Sequence, residues 1–194
     1  MKRAFAIALV AVSPFGPSHW AHAQTSSKPE AVAPYAATLT LVVDAMLKLA
    51  DVGSDDFVVD LGSGDGRIVI AAVARFKARG GLGVDIEPSL VKFSNDTAAQ
   101  AGIADRVTFR EQDLFKTDVG EATVVTVYLL PRAMPPLEQK LLAELKPGTR
   151  VVVQDYPFPT WHAERVVELK TPDKETSTGL PYAHLYLYKV PPRK

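Results

Sequence analysis

Val58-Val59-Asp60-Leu61-Gly62-Ser63-Gly64-Asp65-Gly66-Arg67-Ile68-Val69-Ile70 decides the fold of this 194-residue chain. A short apolar run meets an acid, then a turn with three glycines in five positions, then a second apolar run. The pattern reads as strand, tight turn and helix. Glycine tolerates positive φ and lets a backbone approach a neighbour that any Cβ would strike. The helix that follows presents unpaired N–H groups and the positive end of its dipole. Such a unit marks a nucleotide-type site at the carboxyl end of the first strand of an open α/β sheet. The dinucleotide fingerprint G-x-G-x-x-G needs its third glycine at position 67, where this chain has Arg67. Here the glycine comes one residue early, at Gly66, which argues against a pyrophosphate cradle. A tight glycine turn without a ligand is the alternative reading.

Working outward, Leu39, Val42, Val43, Met46, Leu47 and Ala50 fall at helical spacing and predict a leading helix closed by Asp51-Val52-Gly53. Strands are expected over 57–61, 82–85, 107–110, 123–128 and 151–153, with helices over 67–78, 89–101 and 137–145 between them. Two antiparallel candidates follow at 163–169 and 183–190. Alternating strands and helices imply a doubly wound, Rossmann-like α/β fold, with seven strands mostly parallel and a C-terminal antiparallel hairpin. Asp85 ends the second strand, 25 residues beyond Asp60. An acid at about this distance from the glycine turn suits a ribose diol, because a carboxylate offers two acceptor oxygens. Alternatively Asp85 caps the next helix, with Pro88 in its first turn.

Composition narrows the partners. Lys+Arg and Asp+Glu are each 22, giving a net charge of zero and no long basic run, so no nucleic-acid partner is expected. The chain has no cysteine, which excludes disulfides and thiol catalysis. His19, His22, His162 and His184 lack ligand spacing, so no metal is expected. Lys2 and Arg3 precede an apolar run over 4–12, then Ser13-Pro14, then Ala21-His22-Ala23, the layout of a secretory signal peptide over 1–23. The apolar run is too short to span a bilayer as a helix. Residues 24–33 read as a linker and 34–194 as one catalytic domain. Export with cleavage near Ala23 is expected; an uncleaved N-terminal anchor, placing the chain beside a membrane, is the alternative.

D-x-G-x-G-x-G over 60–66 resembles motif I of the class I S-adenosylmethionine (SAM) methyltransferases. The resemblance implies SAM as cofactor, with Asp60 and the backbone of Gly62, Gly64 and Gly66 near its amino acid part. It also implies Asp85 at the ribose and Asp113, in Arg110-Glu111-Gln112-Asp113-Leu114-Phe115, at the adenine amino group; a plain surface carboxylate is the alternative for Asp113. Tyr128-Leu129-Leu130-Pro131 stands where the class keeps its substrate-facing motif, which points to Tyr128 and Pro131. It is not N/D-P-P-Y, and that counts against DNA adenine and glutamine methylation. The loop Gln154-Asp155-Tyr156-Pro157-Phe158-Pro159-Thr160-Trp161 offers aromatic walls and a carboxylate to a lysine side chain, or else packs over the sheet edge.

Together with Val84-Asp85-Ile86-Glu87-Pro88, the leucine-rich helix and Pro157-Phe158-Pro159-Thr160-Trp161, these motifs are similar to a narrower group. These are small protein-lysine methyltransferases related to the mitochondrial enzymes that modify the ATP synthase c-subunit and the adenine nucleotide translocase. The similarity runs over roughly 35–170. Tyr35 and Thr38 match a Y/F-V-P-T-P segment whose two prolines this chain lacks. The implied partner is a protein with a methylatable lysine. Tyr35, Thr38, Tyr128, Pro131 and Trp161 would face it, and Asp155 or Tyr156 would accept the amine proton. A small-molecule methyltransferase and a noncatalytic ligand-binding module are the other readings. SAM is made in the cytoplasm, so an exported enzyme would need another supply of it.

Overall fold

The computed structural model describes residues 36–171 and 181–193; the leader over 1–23, the linker over 24–33 and Tyr35 lie outside the described residues. The elements run α1 (Thr40–Leu49), β1 (Phe57–Leu61), α2 (Arg67–Ala74), β2 (Gly80–Asp85), α3 (Pro88–Gln100), β3 (Val107–Glu111), β4 (Val124–Val127), α4 (Met134–Glu144), β5 (Arg150–Gln154), β6 (Arg165–Lys170) and β7 (Tyr182–Lys189). The seven strands form one sheet in the order β3-β2-β1-β4-β5-β7-β6. The first five are parallel, and β7 pairs antiparallel with both β5 and β6. The expected seven-stranded, mostly parallel doubly wound sheet with an antiparallel terminal pair is what the chain adopts.

Strand alternation divides the core into two layers. Val58, Val124 and Val152 face α1, α2 and α3, whereas Val59, Val125, Val127, Val151 and Val153 face α4. Near-continuous valine runs suit strands covered on both faces. Leu137, Leu141 and Leu145 recur every four residues and are wholly buried against the second face. Truncating such a leucine to alanine typically costs about 2–5 kcal/mol. Helix α4 starts earlier than the leucine spacing suggests, at Met134, because Pro135 and Pro136 are accommodated in its first turn. Helix α2 stops at Ala74 rather than 78. Lys77 adopts φ 66, and the Ala78 N–H turns back to Ala72 O at 3.0 Å, which ends the helix.

The amino edge of the sheet is tied down by Asp56, which is 6% exposed. Its carboxylate accepts from Gly53 N at 2.8 Å and Thr123 Oγ1 at 2.7 Å, and pairs with Arg150. These contacts link the start of β1, β4 and β5 at the edge opposite the motif loops. Among the described residues no helix is long and apolar enough to cross a membrane.

Candidate active site

The motif loops leave the carboxyl ends of β1 to β5, and the chain reverses direction across the sheet between β1 and β4. In open α/β sheets a ligand cleft forms at such a switch point. Asp113, Asp85 and the glycine turn follow β3, β2 and β1, on one side of it. Tyr128 and Pro131 follow β4, and Asp155, Tyr156 and Trp161 follow β5, on the other. One half of the cleft therefore carries every proposed cofactor residue and the other the acceptor-side residues.

The glycine turn is held by its own hydrogen bonds to β2 and α3. Gly62 N and Ser63 N both donate to Val84 O at 2.9 Å, and Gly64 N donates to Asp85 Oδ2 at 2.9 Å. Ser94 on α3 shares its hydroxyl proton between Gly64 O (3.1 Å) and Leu90 O (2.9 Å). Gly62, Gly64 and Gly66 have φ of 88°, 52° and 79°. At Gly66 a Cβ would lie 2.7 Å from Phe109 Cζ and 2.8 Å from Ser94 Cβ. The third glycine thus answers to packing of the turn against β3 and α3 as well as to φ. Its shift to position 66 reflects how this turn enters α2.

Three carboxylates surround the turn. Asp60, 2% exposed, accepts from Thr126 Oγ1 on the neighbouring strand at 2.7 Å. Burial lifts its carboxyl to about 7, against the lowering effect of the Thr126 hydroxyl; Asp85 and Asp65 raise it further by like charge. Asp85 is half-buried and accepts from Gly64 N and from Glu87 N (2.9 Å), one on each oxygen. A carboxylate has about four acceptor sites, so this latch on the turn leaves capacity for a vicinal diol. Helix α3 is capped instead by Glu87. Asp65 is paired with Arg67.

Such a set of acceptors disfavours a pyrophosphate and favours a cation that carries a diol. SAM is such a ligand, with a sulfonium, an ammonium and a ribose, and the residues present fit it. Ser63 Oγ, buried beneath the turn without a hydrogen-bond partner, is a further polar atom at this site. Asp113 accepts from Phe115 N at 2.9 Å and caps a short 3-10 turn over Leu114–Lys116, and its second oxygen lies 4.0 Å from Lys116 Nζ.

On the acceptor side, Thr38 is buried and its Oγ1 donates to Gln154 Oε1 at 3.2 Å. Gln154 Nε2 in turn donates to Asp155 Oδ2 at 3.2 Å, and His184 N donates to Asp155 Oδ1 at 3.0 Å. Asp155 has φ 62, a left-handed conformation that Asp tolerates better than most residues. Burial, and after it the charge of Asp155, holds the Tyr186 phenol above its ordinary range. Tyr128 and Tyr156 are half-buried, and Pro131 is exposed at the start of a 3-10 turn, Pro131–Ala133. Trp161 is stacked on Phe158 (5.5 Å between centroids) and tilted on Tyr188 (5.1 Å). The buried Glu138 of α4 accepts from Thr160 N at 3.2 Å and from the Thr160 hydroxyl, pinning the loop that carries Trp161. Phe158 and Trp161 of this loop thus pack on Tyr188 of β7.

Thr126, Gln154, Glu138 and Ser94 escaped the sequence reading. For the first two a signal was present: Thr126 interrupts, and Gln154 ends, a run of valines in a strand. A polar residue on a buried strand must have a partner. Among the described residues no group of three or more His, Asp or Glu could hold a metal ion.

A profile of the ANTKMT methyltransferase domain matches residues 60–165. The chain is 38% identical over 137 residues to a protein-lysine N-methyltransferase of Saccharolobus islandicus, covering 71% of this chain and 85% of that one. It is 40% identical over 123 residues to the mouse ATP synthase c-subunit lysine N-methyltransferase, covering 63% of this chain but only 45% of the longer mouse protein. Its fold superposes on the crystal structure of an RNA methyltransferase from Salinibacter ruber in complex with S-adenosyl-L-homocysteine, with TM-score 0.72 and 44% identity, over 81% of this chain and 95% of that one. With the glycine turn, its carboxylates and the sheet order already in place, the chain belongs to the ANTKMT methyltransferase domain family and is a SAM-dependent methyltransferase.

Proposed function

We propose that this enzyme methylates the side-chain amine of a lysine in a protein. The observation that carries this reading is the 38% identity to the archaeal protein-lysine N-methyltransferase across 85% of that protein's length. Charge supports it, since the loops around the cleft bring Asp65, Asp85, Glu87, Asp113 and Asp155 to one edge of the sheet. A cationic side chain is drawn to carboxylates so placed.

When bound, SAM supplies a methyl group made electrophilic by its sulfonium. Asp60, the glycine turn, Asp85 and Asp113 would hold that cofactor on one side of the switch point. A lysine acceptor, with an ordinary pKa of about 10.4, has to lose its proton before it can act as a nucleophile. Asp155 draws the ammonium in and takes the proton at a carboxylate oxygen, directly or through water, with Tyr156 beside it. Half-buried Tyr128 and Tyr156 exclude water and so favour the neutral amine. Thr38 and Pro131 border the acceptor path. Aligning amine and methyl is the main catalytic task, because the leaving group is already activated.

The similarity to the Salinibacter RNA methyltransferase favours RNA as the second reading. The discriminating experiment incubates the purified chain with methyl-labelled SAM and, separately, fractionated protein and total RNA from its source. Label on lysine in a protein, located by mass spectrometry, is the expected result. Label in RNA alone overturns the lysine reading.

We also propose that the mature enzyme works outside the cytoplasm, after cleavage near Ala23 or beside a membrane on a retained N-terminus. Support comes from Lys2, Arg3, the apolar run over 4–12 and Ala21-His22-Ala23. N-terminal sequencing of the cell-expressed protein tests it, and an intact Met1 in the cytosolic fraction would sink it.

A further inference from the structure

We propose that Gln154 is a positioning residue that joins the cofactor half of the cleft to the acceptor half. Cofactor binding at the glycine turn then sets the loop over 155–161. The inference rests on the methyltransferase reading of the turn.

Gln154 is the last residue of β5 and only 3% exposed. Its two amide atoms point to different parts of the molecule. Oε1 accepts from Thr38 Oγ1 at 3.2 Å, and Nε2 donates to Asp155 Oδ2 at 3.2 Å. Thr38 is gripped a second time, since its carbonyl accepts from Arg67 Nη1 at 2.8 Å. Arg67 follows the last glycine of the turn, and its Nε donates to both oxygens of Asp65 at 2.8 and 3.0 Å. A continuous polar path therefore runs from the turn through Arg67, Thr38 and Gln154 to Asp155. It ends on β7, where Asp155 exchanges two hydrogen bonds with the backbone of His184.

The central link joins groups far apart in sequence: Thr38 and Gln154 are 116 residues apart. An amide at 154 is the residue type this junction needs, because one end must accept and the other must donate to a carboxylate. Glutamate would set a second negative charge against Asp155, and an apolar side chain would leave Thr38 and Asp155 without their partner. Asp155 sits at φ 62, so its backbone is not at rest in a broad well, and the bonds from Gln154 and His184 keep it there.

Hydrogen exchange on the full chain, with and without S-adenosylhomocysteine, tests this without knowledge of the acceptor. In wild type the ligand should slow exchange about fivefold or more both at the glycine turn and over 155–161. In Gln154→Met and Thr38→Val the slowing should persist at the turn and vanish over 155–161. Affinity for the ligand should fall by no more than the lost protection, because coupling between two sites is reciprocal. Thr38→Ser, which keeps the hydroxyl, should restore the loop response. If Gln154→Met fails to fold, Thr38→Val and Thr38→Ser carry the comparison. Protection of 155–161 that is undiminished in Thr38→Val, or missing in wild type despite protection of the turn, overturns the inference alone. Failure of the wild type to bind the ligand at all overturns the methyltransferase reading and the inference with it.

Discussion

Asp60→Asn should make this protein more stable above neutral pH while impairing its cofactor site. The carboxyl is buried under the glycine turn and held at about 7 instead of its ordinary 3.8, chiefly by desolvation. The folded state therefore keeps a proton that the unfolded chain has already lost. Between about pH 4 and about pH 7 the folded state binds more protons, so stability falls as pH rises, by about 1.4 kcal/mol per pH unit. Across the whole window the loss is about 4 kcal/mol, and above pH 7 it is constant.

Asparagine has nearly the same shape, keeps an oxygen to accept from Thr126 and carries no charge to bury. The stability difference between Asp60→Asn and wild type should thus climb from pH 5 to pH 7.5 by about 3 kcal/mol and then level off. Urea unfolding at fixed ionic strength, followed by tryptophan fluorescence at half-unit pH steps, measures this. A difference that stays flat across the window would refute the claim that Asp60 is buried against its charge. The same carboxylate should welcome a cationic cofactor, so wild-type affinity for SAM should rise as pH passes through 7, and the variant should lose that dependence. Stability given up for a poised charged group is a common pattern at functional sites.

Other perturbations separate the site's parts. Asp85→Ala should weaken SAM binding about tenfold or more, since it removes a diol acceptor and frees the Gly64 N–H; calorimetric titration reads this, and unchanged affinity would refute the role. Gly66→Ala should cost about 2–4 kcal/mol in chemical denaturation, from φ 79 together with a Cβ pressed against Phe109 and Ser94. Glu138→Ala should cost about 1–3 kcal/mol and raise the exchange rate of the Thr160 amide, because that loop loses its anchor on α4. If that amide exchanges at the wild-type rate in Glu138→Ala, the anchor is not what orders the loop.

How much of this is legible without coordinates varies by element. The sheet and its helices follow from valine runs, glycine and proline punctuation and the leucine period of α4, all short-range signals. The error at the end of α2 arose because Phe76-Lys77-Ala78 continues the apolar pattern. The helix nevertheless ends at Ala74 with Arg75 as its cap, and Lys77 beyond it is left-handed at φ 66. On the cofactor side Asp60, Asp85 and Asp113 were readable because class chemistry and strand ends coincide. Their working contacts were not: Asp85 latches the turn through Gly64 N, and Asp113 caps a 3-10 turn.

The sequence by itself determined the order of strands and helices, the placing of a glycine turn and acids at strand ends, and the family. Those are encoded in neighbours a few residues apart. Tertiary structure alone decided which distant groups meet. It set Thr126 against Asp60 across a strand pair, Thr38 against Gln154, Glu138 against Thr160 and Phe109 against Gly66. Each meeting depends on register, on the angle at which a helix crosses the sheet and on a depth of burial that no local pattern records. Burial is also what turns an ordinary aspartate into a group that titrates near 7.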